Sequence, residues 1–506
     1  MSSGSGRWGN ILTEWDRKQA LARQMGGAER VQRHRDSGKL DARQRADALF
    51  DPGSFVEIGA LTGNLSETSG APAPADGLVA GFGLIEGQPA LAGIEDFTVL
   101  GGSIGDAGAA KRHRLTQLAA QERLPLVFML EGAGHRLTNT HGTPAPNDLQ
   151  GLAELSGLVP LVCVVLGASA GHGALAAPLS DFVLMTEAAS LFVAGPPLVK
   201  GAIGETVTKE ELGGPDIHVV ASGVAHNLAK DDAAAIAMAR RYLSYMPRNA
   251  WEAPARREGS HTGPRRLDAI LDLVDPDPRV PFDMTAVLAM LVDAGSLFEV
   301  QPRYGSAIVT ALARLGGHCV AIVANNPCVR AGAIDAAAAQ KAAHFMDVAD
   351  AFHLPVVFLA DTPGVMPGTA AERSGILRHA ARMFVAQHRL GVPKLHVTLR
   401  KAFGFGSSVM AMNPYDGQSL NLAFPAISLG AMPVGSGARA AKLDDATRDR
   451  LAAEQSSGAM QLADRMVFDD VIDPRDLRNA LLNGLDLVRH RITGAQAPRS
   501  VRGVTP

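Results

Sequence analysis

The chain has 506 residues, 46% of them hydrophobic and 5% aromatic, with a formal net charge of -3. That length exceeds what one hydrophobic core serves, so two domains are expected. A slightly acidic balance excludes a general nucleic-acid surface, which needs a basic excess; helix N-termini and a few Arg or Lys side chains can still hold an anionic ligand.

Cys163, Cys319 and Cys328 form no CxxC pair, and the 15 histidines show no HExxH spacing. Neither a metal site nor a disulfide framework is expected, and Cys163 and Cys319 read as small core residues. The opening residues hold no signal-like apolar stretch and no apolar run reaches membrane length, so a cytoplasmic protein is expected.

In chain order, residues 10–49 read as charged amphipathic helix, with Trp15, Leu21, Met25 and Val31 near helical spacing. Asp51-Pro52-Gly53-Ser54 ends it. Apolar runs at 124–130, 159–166 and 183–185 then alternate with helical stretches. A segment rich in Pro, Arg, Asp and Gly, 251–280, reads as a linker between domains at 1–250 and 281–506. Further apolar runs follow at 320–324, 356–360 and 394–399. Alternating β and α with apolar strands gives an α/β fold with buried sheets.

The two halves repeat at one fixed offset. Gly87 matches Gly317, Gly102-Ser103-Ile104 matches Gly332-Ala333-Ile334, and Lys111 matches Lys341. Leu124-Pro125 matches Leu354-Pro355, and Gly134 matches Gly364. An ungapped match of this length implies a duplicated fold with two similar pockets.

Gly167-Ala168-Ser169-Ala170-Gly171 spells GxSxG, which makes Ser169 a candidate nucleophile with His172 as base. The competing reading is a tight small-residue turn exposing backbone amides. The repeat favours it, because the corresponding loop, Ala402-Phe403-Gly404-Phe405-Gly406, is Gly-rich and has no such serine. Exposed amides at a helix start stabilise an oxyanion. Gly102-x-x-Gly105-x-x-Gly108 is a weak phosphate-loop pattern. Lys111, Lys341 and Arg378 lie in helical stretches, where a solvated charge is expected.

Together these segments resemble the carboxyltransferase (β) subunits of propionyl-CoA and acetyl-CoA carboxylases, in the crotonase-like superfamily. The resemblance spans most of the chain and is carried by ordered motifs. These include Gly38-Lys39-Leu40-Asp41-Ala42-Arg43, Asp96-Phe97-Thr98, Gly204-Glu205-Thr206-Val207-Thr208, Asp361-Thr362-Pro363-Gly364, Arg400-Lys401-Ala402 and Asp469-Asp470. It implies two duplicated crotonase-like domains. The first half would hold an acyl-CoA thioester. The second would hold carboxybiotin, delivered by a biotin carboxylase and biotin carrier subunit. The site would form between subunits of a homo-hexamer.

By motif position, the resemblance places thioester-enolate amides at Gly171 and His172 and biotin ureido amides at Phe405 and Gly406. It places acyl-CoA contacts at Gly102, Gly134, Arg136, Ala170 and Ser408, and biotin contacts at Gly332, Thr362, Pro363 and Gly364. His172 stands where the family carries a second glycine, Gly404-Phe405-Gly406 replaces Gly-Gly-Ala, and 131–136 also departs. A φ above zero at those positions would cost roughly 1 kcal/mol or more, or the donors would shift to Gly173 or Gly404. Ser408 replaces an acidic residue of the propionyl-type enzymes, so an unusual acyl substrate is expected. Three alternatives stay open: a biotin-dependent acyl-CoA decarboxylase subunit, a non-catalytic structural paralogue, and a GxSxG serine hydrolase.

Overall fold

The computed structural model describes residues 5–63, 72–136, 147–259, 261–456, 458–499 and 503–506. The chain forms two compact units, Met1–Ser244 and Tyr245–Thr505. The first contains β1 (Val56–Ile58), β2 (Leu78–Ile85), β3 (Gln88–Glu95), β4 (Leu126–Leu130), β5 (Leu161–Val165), β6 (Ala168–Ala170), β7 (Phe182–Thr186), β8 (Ser190–Phe192) and β9 (Asn227–Ala229). Its main sheet runs β1-β2-β3-β4-β5-β7-β9, and β6 pairs with β8 apart from it. The β1–β2–β3 pairs are antiparallel and the rest parallel. β4 and β5 are buried along their whole length, which explains their continuous apolar runs.

The second unit contains β10 (Phe298–Val300), β11 (Ile308–Leu315), β12 (His318–Asn325), β13 (Val356–Thr362), β14 (Lys394–Phe403), β15 (Gln418–Ala423), β16 (Ser428–Gly430) and β17 (Asp470–Val471). Their order is β10-β11-β12-β13-β14-β15-β17, with β16 also beside β14. The duplication is visible in detail. Each unit has a hairpin whose two turn residues take positive φ: Glu86 (49°) and Gly87 (76°), and Gly316 (62°) and Gly317 (78°). In each, a proline carbonyl starts the next parallel pair: Leu91 N–H donates to Pro125 O and Ala321 N–H to Pro355 O, both at 2.9 Å.

Three sequence expectations change. The 10–49 stretch is three helices, Ser5–Arg23, Ala28–Asp36 and Ala42–Leu49. Gly27 and Gly38 break it with φ of 91° and 83°, conformations that favour glycine. The 251–280 stretch is anchored at three points: Leu267, Ile270 and Val274 join the buried core of the second unit. Composition misled there, because few apolar residues suffice to anchor a Pro- and Gly-rich segment.

Lys111 and Lys341 are not solvated either. They sit on equivalent helices, Asp106–Glu122 and Ala336–Ala351, with both side chains turned inward and buried. Lys111 Nζ donates to Ala75 O at 2.7 Å and Lys341 Nζ to Gln301 O at 3.0 Å. Burial pulls their pKa down, to about 8 for Lys111 and about 7 for Lys341, against the opposing pull of Glu57 and Glu299.

A depressed lysine pKa means that the unfolded chain binds the proton more tightly between pH 7 and the ordinary lysine value. Lys341 therefore opposes folding most at low pH, and its cost fades as pH rises through that window. Lys341→Met removes that term. Relative to the parent, the variant is expected to gain a few kcal/mol on going from pH 10 to pH 7, read from urea unfolding at several pH values.

Candidate active site

In the first unit, the loop after β4 and the turn after β6 meet closely. A Cβ on Gly134 would lie 2.8 Å from Ala170 O, so glycine is required there, and Gly134 takes φ 82°. A Cβ on Gly102 would overlap the Glu131 carbonyl. Gly134 O accepts from Ile104 N–H at 2.7 Å, and Ala170 N–H donates to Gly132 O at 3.0 Å. Gly102, Gly134, Ala170 and Gly171 are thus gathered at the end of the parallel strands, where α/β sites form.

The same lattice recurs in the second unit. Ile334 N–H donates to Gly364 O at 3.1 Å, and Thr362 Oγ1 donates to Gly332 O at 2.8 Å. Gly364 N–H donates back to Thr362 Oγ1 at 3.1 Å. A Cβ on Gly332 would overlap Asp361 O, and one on Gly406 would lie 2.6 Å from the Gly364 Cα. Gly332, Thr362, Pro363, Gly364 and Gly406 therefore form one backbone cluster.

Above each cluster stand unspent amides. The Gly171 N–H, expected as an oxyanion donor, is not free: it donates to Phe192 O at 3.1 Å, continuing the β6–β8 pairing. His172 and Gly173 follow at the start of a helical turn, and among the described residues their N–H groups have no acceptor. His172 has φ −55° and ψ −47°, so its side chain brings no backbone strain. In the second unit, Gly404 takes the positive φ (54°) and opens the helix Gly404–Val409. Phe405 and Gly406 occupy its first turn, and among the described residues their N–H groups have no acceptor. Helix starts concentrate such donors and favour negative charge.

Other expected contacts are already committed. The Arg136 guanidinium donates to Asp76 and, at 2.9–3.0 Å, to Ser103. It ties the loop down instead of waiting for a ligand. Gly108 N–H donates to Asp76 Oδ2 at 2.6 Å, so the GxxGxxG stretch offers no free phosphate cradle there. Ser408 lies on the same helix as Phe405 and pairs with Asn413. Phe405 packs its ring 5.4 Å from that of Phe384.

Ser169 does not fit a nucleophile. It lies inside β6, 1% exposed, and its hydroxyl has no hydrogen-bond partner among the described residues. His172 turns to Asp148 instead, with Nε2 2.5 Å from Oδ1. A nucleophile elbow needs an exposed serine next to its base, and this geometry supplies neither.

Sequence reasoning missed the buried charges beneath the first cluster. Glu131 meets Lys39 and Arg45, each at 2.5 Å, and Arg45 also meets Asp232 at 2.8 Å. Burial pushes the Glu131 carboxyl up, but the two cations outweigh it and hold it below its ordinary value. Glu95, paired with Arg112 at 3.0 Å, is pushed up by burial. A cavity of about 440 Å³ beside Glu131 is lined by His34, Lys39, Phe97, Glu187 and Lys209. The signal was present in the Gly38-Lys39-Leu40 motif, but a motif does not say what its lysine touches. Among the described residues no cluster of potential metal ligands occurs, and no helix is long and apolar enough to cross a membrane.

Residues 33–502 match the carboxyl transferase domain family. The chain belongs to that family. The carboxyltransferase is 36% identical to the methylmalonyl-CoA carboxyltransferase 12S subunit of Propionibacterium freudenreichii, covering 91% of each chain. It is also 36% identical to the methylmalonyl-CoA decarboxylase subunit alpha of Veillonella parvula, covering 93% of this chain and 94% of that one. A solved transcarboxylase 12S structure, a hexamer assembly with methylmalonyl-CoA and methylmalonic acid bound, superposes with a TM-score of 0.89 at 33% identity over all of both chains. The crotonase-like fold and carboxyl-transfer chemistry expected from sequence therefore hold for this carboxyltransferase.

Gly406→Ala tests the second cluster. The added Cβ must push Gly364 or its own helix start aside. Turnover in a carboxyl-transfer assay is expected to fall roughly 100-fold if this helix start is the oxyanion site that the sequence leads one to expect. The unfolding free energy is expected to drop by only ~1–3 kcal/mol.

Proposed function

We propose that the chain moves a carboxyl group from carboxybiotin, borne by a biotin carrier subunit, to the α-carbon of an acyl-CoA, giving a malonyl-CoA-type product. The observation that carries this reading is the pair of equivalent amide sites. The amides of His172 with Gly173, and of Phe405 with Gly406, have no acceptor among the described residues and follow glycine-packed loops. Carboxyl transfer between two carbonyl-containing partners develops negative charge on two oxygens, and two rigid donor pairs answer that need.

In this reading the first unit's amides hold the thioester oxygen and the second unit's hold the ureido oxygen. Carboxybiotin, when bound, supplies the carboxyl group. The cluster of Gly332, Thr362, Pro363 and Gly364 fits it, since bare backbone lets a flat ring approach closely. Lys401, 2.8 Å from Asp361 Oδ1, and Arg400, 2.7 Å from Oδ2, brace the strand end behind the cluster. A biotin carboxylase must charge the carrier, and we place the chain in a cytoplasmic homo-hexamer like that of its 12S relative. The equal identity to a decarboxylase subunit supports a second reading, the same transfer run toward biotin.

The test is carboxyl transfer by the purified chain between a biotinylated carrier and a panel of acetyl-, propionyl-, butyryl-, longer and polar acyl-CoAs, assayed in both directions. Biotin-dependent transfer that Phe405→Pro abolishes, in protein of unchanged assembly, is the expected result; proline deletes one donor amide. The ratio of forward to reverse rates assigns direction. A stable hexamer that binds carrier and turns over no thioester would make the chain a structural paralogue.

A further inference from the structure

Gly134 and Gly171 touch backbone to backbone, with a Cβ on Gly171 only 4.0 Å from the Gly134 Cα. The residues that follow them, His135 and His172, are thereby brought together, ring centroids 4.6 Å apart and 61° between planes. Behind His172 runs a row of buried charges. Asp148 Oδ1 faces His172 Nε2, and its Oδ2 accepts from Arg112 Nε at 2.7 Å. Arg112 Nη1 donates to Glu95 Oε1 at 3.0 Å. The Asp148, Arg112 and Glu95 side chains are at most 3% exposed, whereas that of His172 is 19% exposed. The row ends in an imidazole that reaches the amide site.

The state of that imidazole follows from its partner. Burial opposes the Asp148 charge, but the His172 hydrogen bond and the Arg112 charge outweigh it and hold the carboxyl well below its usual range. A carboxylate only accepts, so Nε2 carries a proton in this pair and Nδ1 is the ring nitrogen left to act as a base. Among the described residues nothing bonds to Nδ1. The His172 main-chain N–H is itself one of the two free donors. One residue thus carries a base and an oxyanion donor, the two groups that enolisation of a thioester uses.

We propose that His172 is a catalytic general base toward the thioester α-carbon, which gives this chain a biotin-independent activity: exchange of the acyl-CoA α-hydrogen with solvent. The inference rests on the acyl-CoA reading above. Nδ1 bonds to the α-proton as the C–H bond breaks. The C–H electron pair becomes the enolate C=C, and the carbonyl π pair moves onto oxygen under the His172 and Gly173 amides. The imidazolium trades its proton with water and returns a solvent-derived one to carbon, so the thioester is regenerated with one hydrogen exchanged. The charged and titratable groups facing the ring are Asp148 on the helix Asp148–Leu155, Arg112 on the helix Asp106–Glu122, and His135 after β4. Burial lowers the His135 pKa, which favours a neutral ring there.

The experiment incubates the full-length chain with acetyl-, propionyl- or butyryl-CoA in D2O without biotin and reads α-deuteration by mass spectrometry, with biotin-dependent carboxyl transfer measured in parallel. Deuteration by the parent protein, lost roughly 100-fold or more in His172→Gln, is expected. Glutamine keeps the main-chain amide but has no base, and Asp148→Asn should move the pH profile of exchange. Exchange that appears only when biotin is added, or that survives His172→Gln unchanged, overturns the proposal while leaving the carboxyltransferase reading intact. Absence of both exchange and transfer, on every thioester, overturns both.

Discussion

In each half of the molecule a strand-end carbonyl presses against a glycine that has no room for a side chain. Glu131 O does so at Gly102, and Asp361 O at Gly332. This close approach fixes two loops against each other, and the next turn of chain inherits their position. Gly134 and Gly364 are then locked by Ile104 and Ile334, and the helix starts carrying the free amides are seated above them. Backbone packed on backbone is stiff, which is what a preorganised donor site requires.

Beneath the first cluster lies a set of buried ion pairs. Glu131 gathers Lys39 and Arg45, and Arg45 reaches on to Asp232. Arg112 joins Glu95 and Asp148 and lies 4.5 Å over the Phe128 ring. Charges this deep repay their desolvation only when every partner is present, so loss of one member costs ~3–5 kcal/mol and a wholly apolar substitute need not. The arrangement thus specifies geometry more than it adds stability, and the geometry it specifies is that of the turn holding His172.

Much of this was legible in the sequence because the repeat preserves residues whose role is backbone geometry. Gly102, Gly134, Gly332 and Gly364 stand out when the halves are aligned, and all four sit where two stretches of backbone nearly touch. Side-chain partners were less legible. Asp148 lies 24 residues before His172 and meets it only through the fold. The Gly171 amide looked free because a loop sequence does not reveal that β8 will claim it. Arg136 looked like a ligand contact, yet Asp76, held in a left-handed turn (φ 51°), takes it. Lys111 and Lys341 were matched in the repeat, and that match was the clue that they are buried rather than solvated.

The buried charge row has a consequence for ionic strength. Salt screens exposed pairs within about 10 Å at 0.1 M, yet it reaches poorly into sites closed to water. Surface pairs such as Arg33 with Glu29, both mostly exposed, fade in brine. Arg45 with Glu131 and Arg112 with Asp148, at most 3% exposed, do not. The scaffold under the turn that holds His172 is accordingly indifferent to the salinity around it, even where the electrostatics of the molecular surface are not.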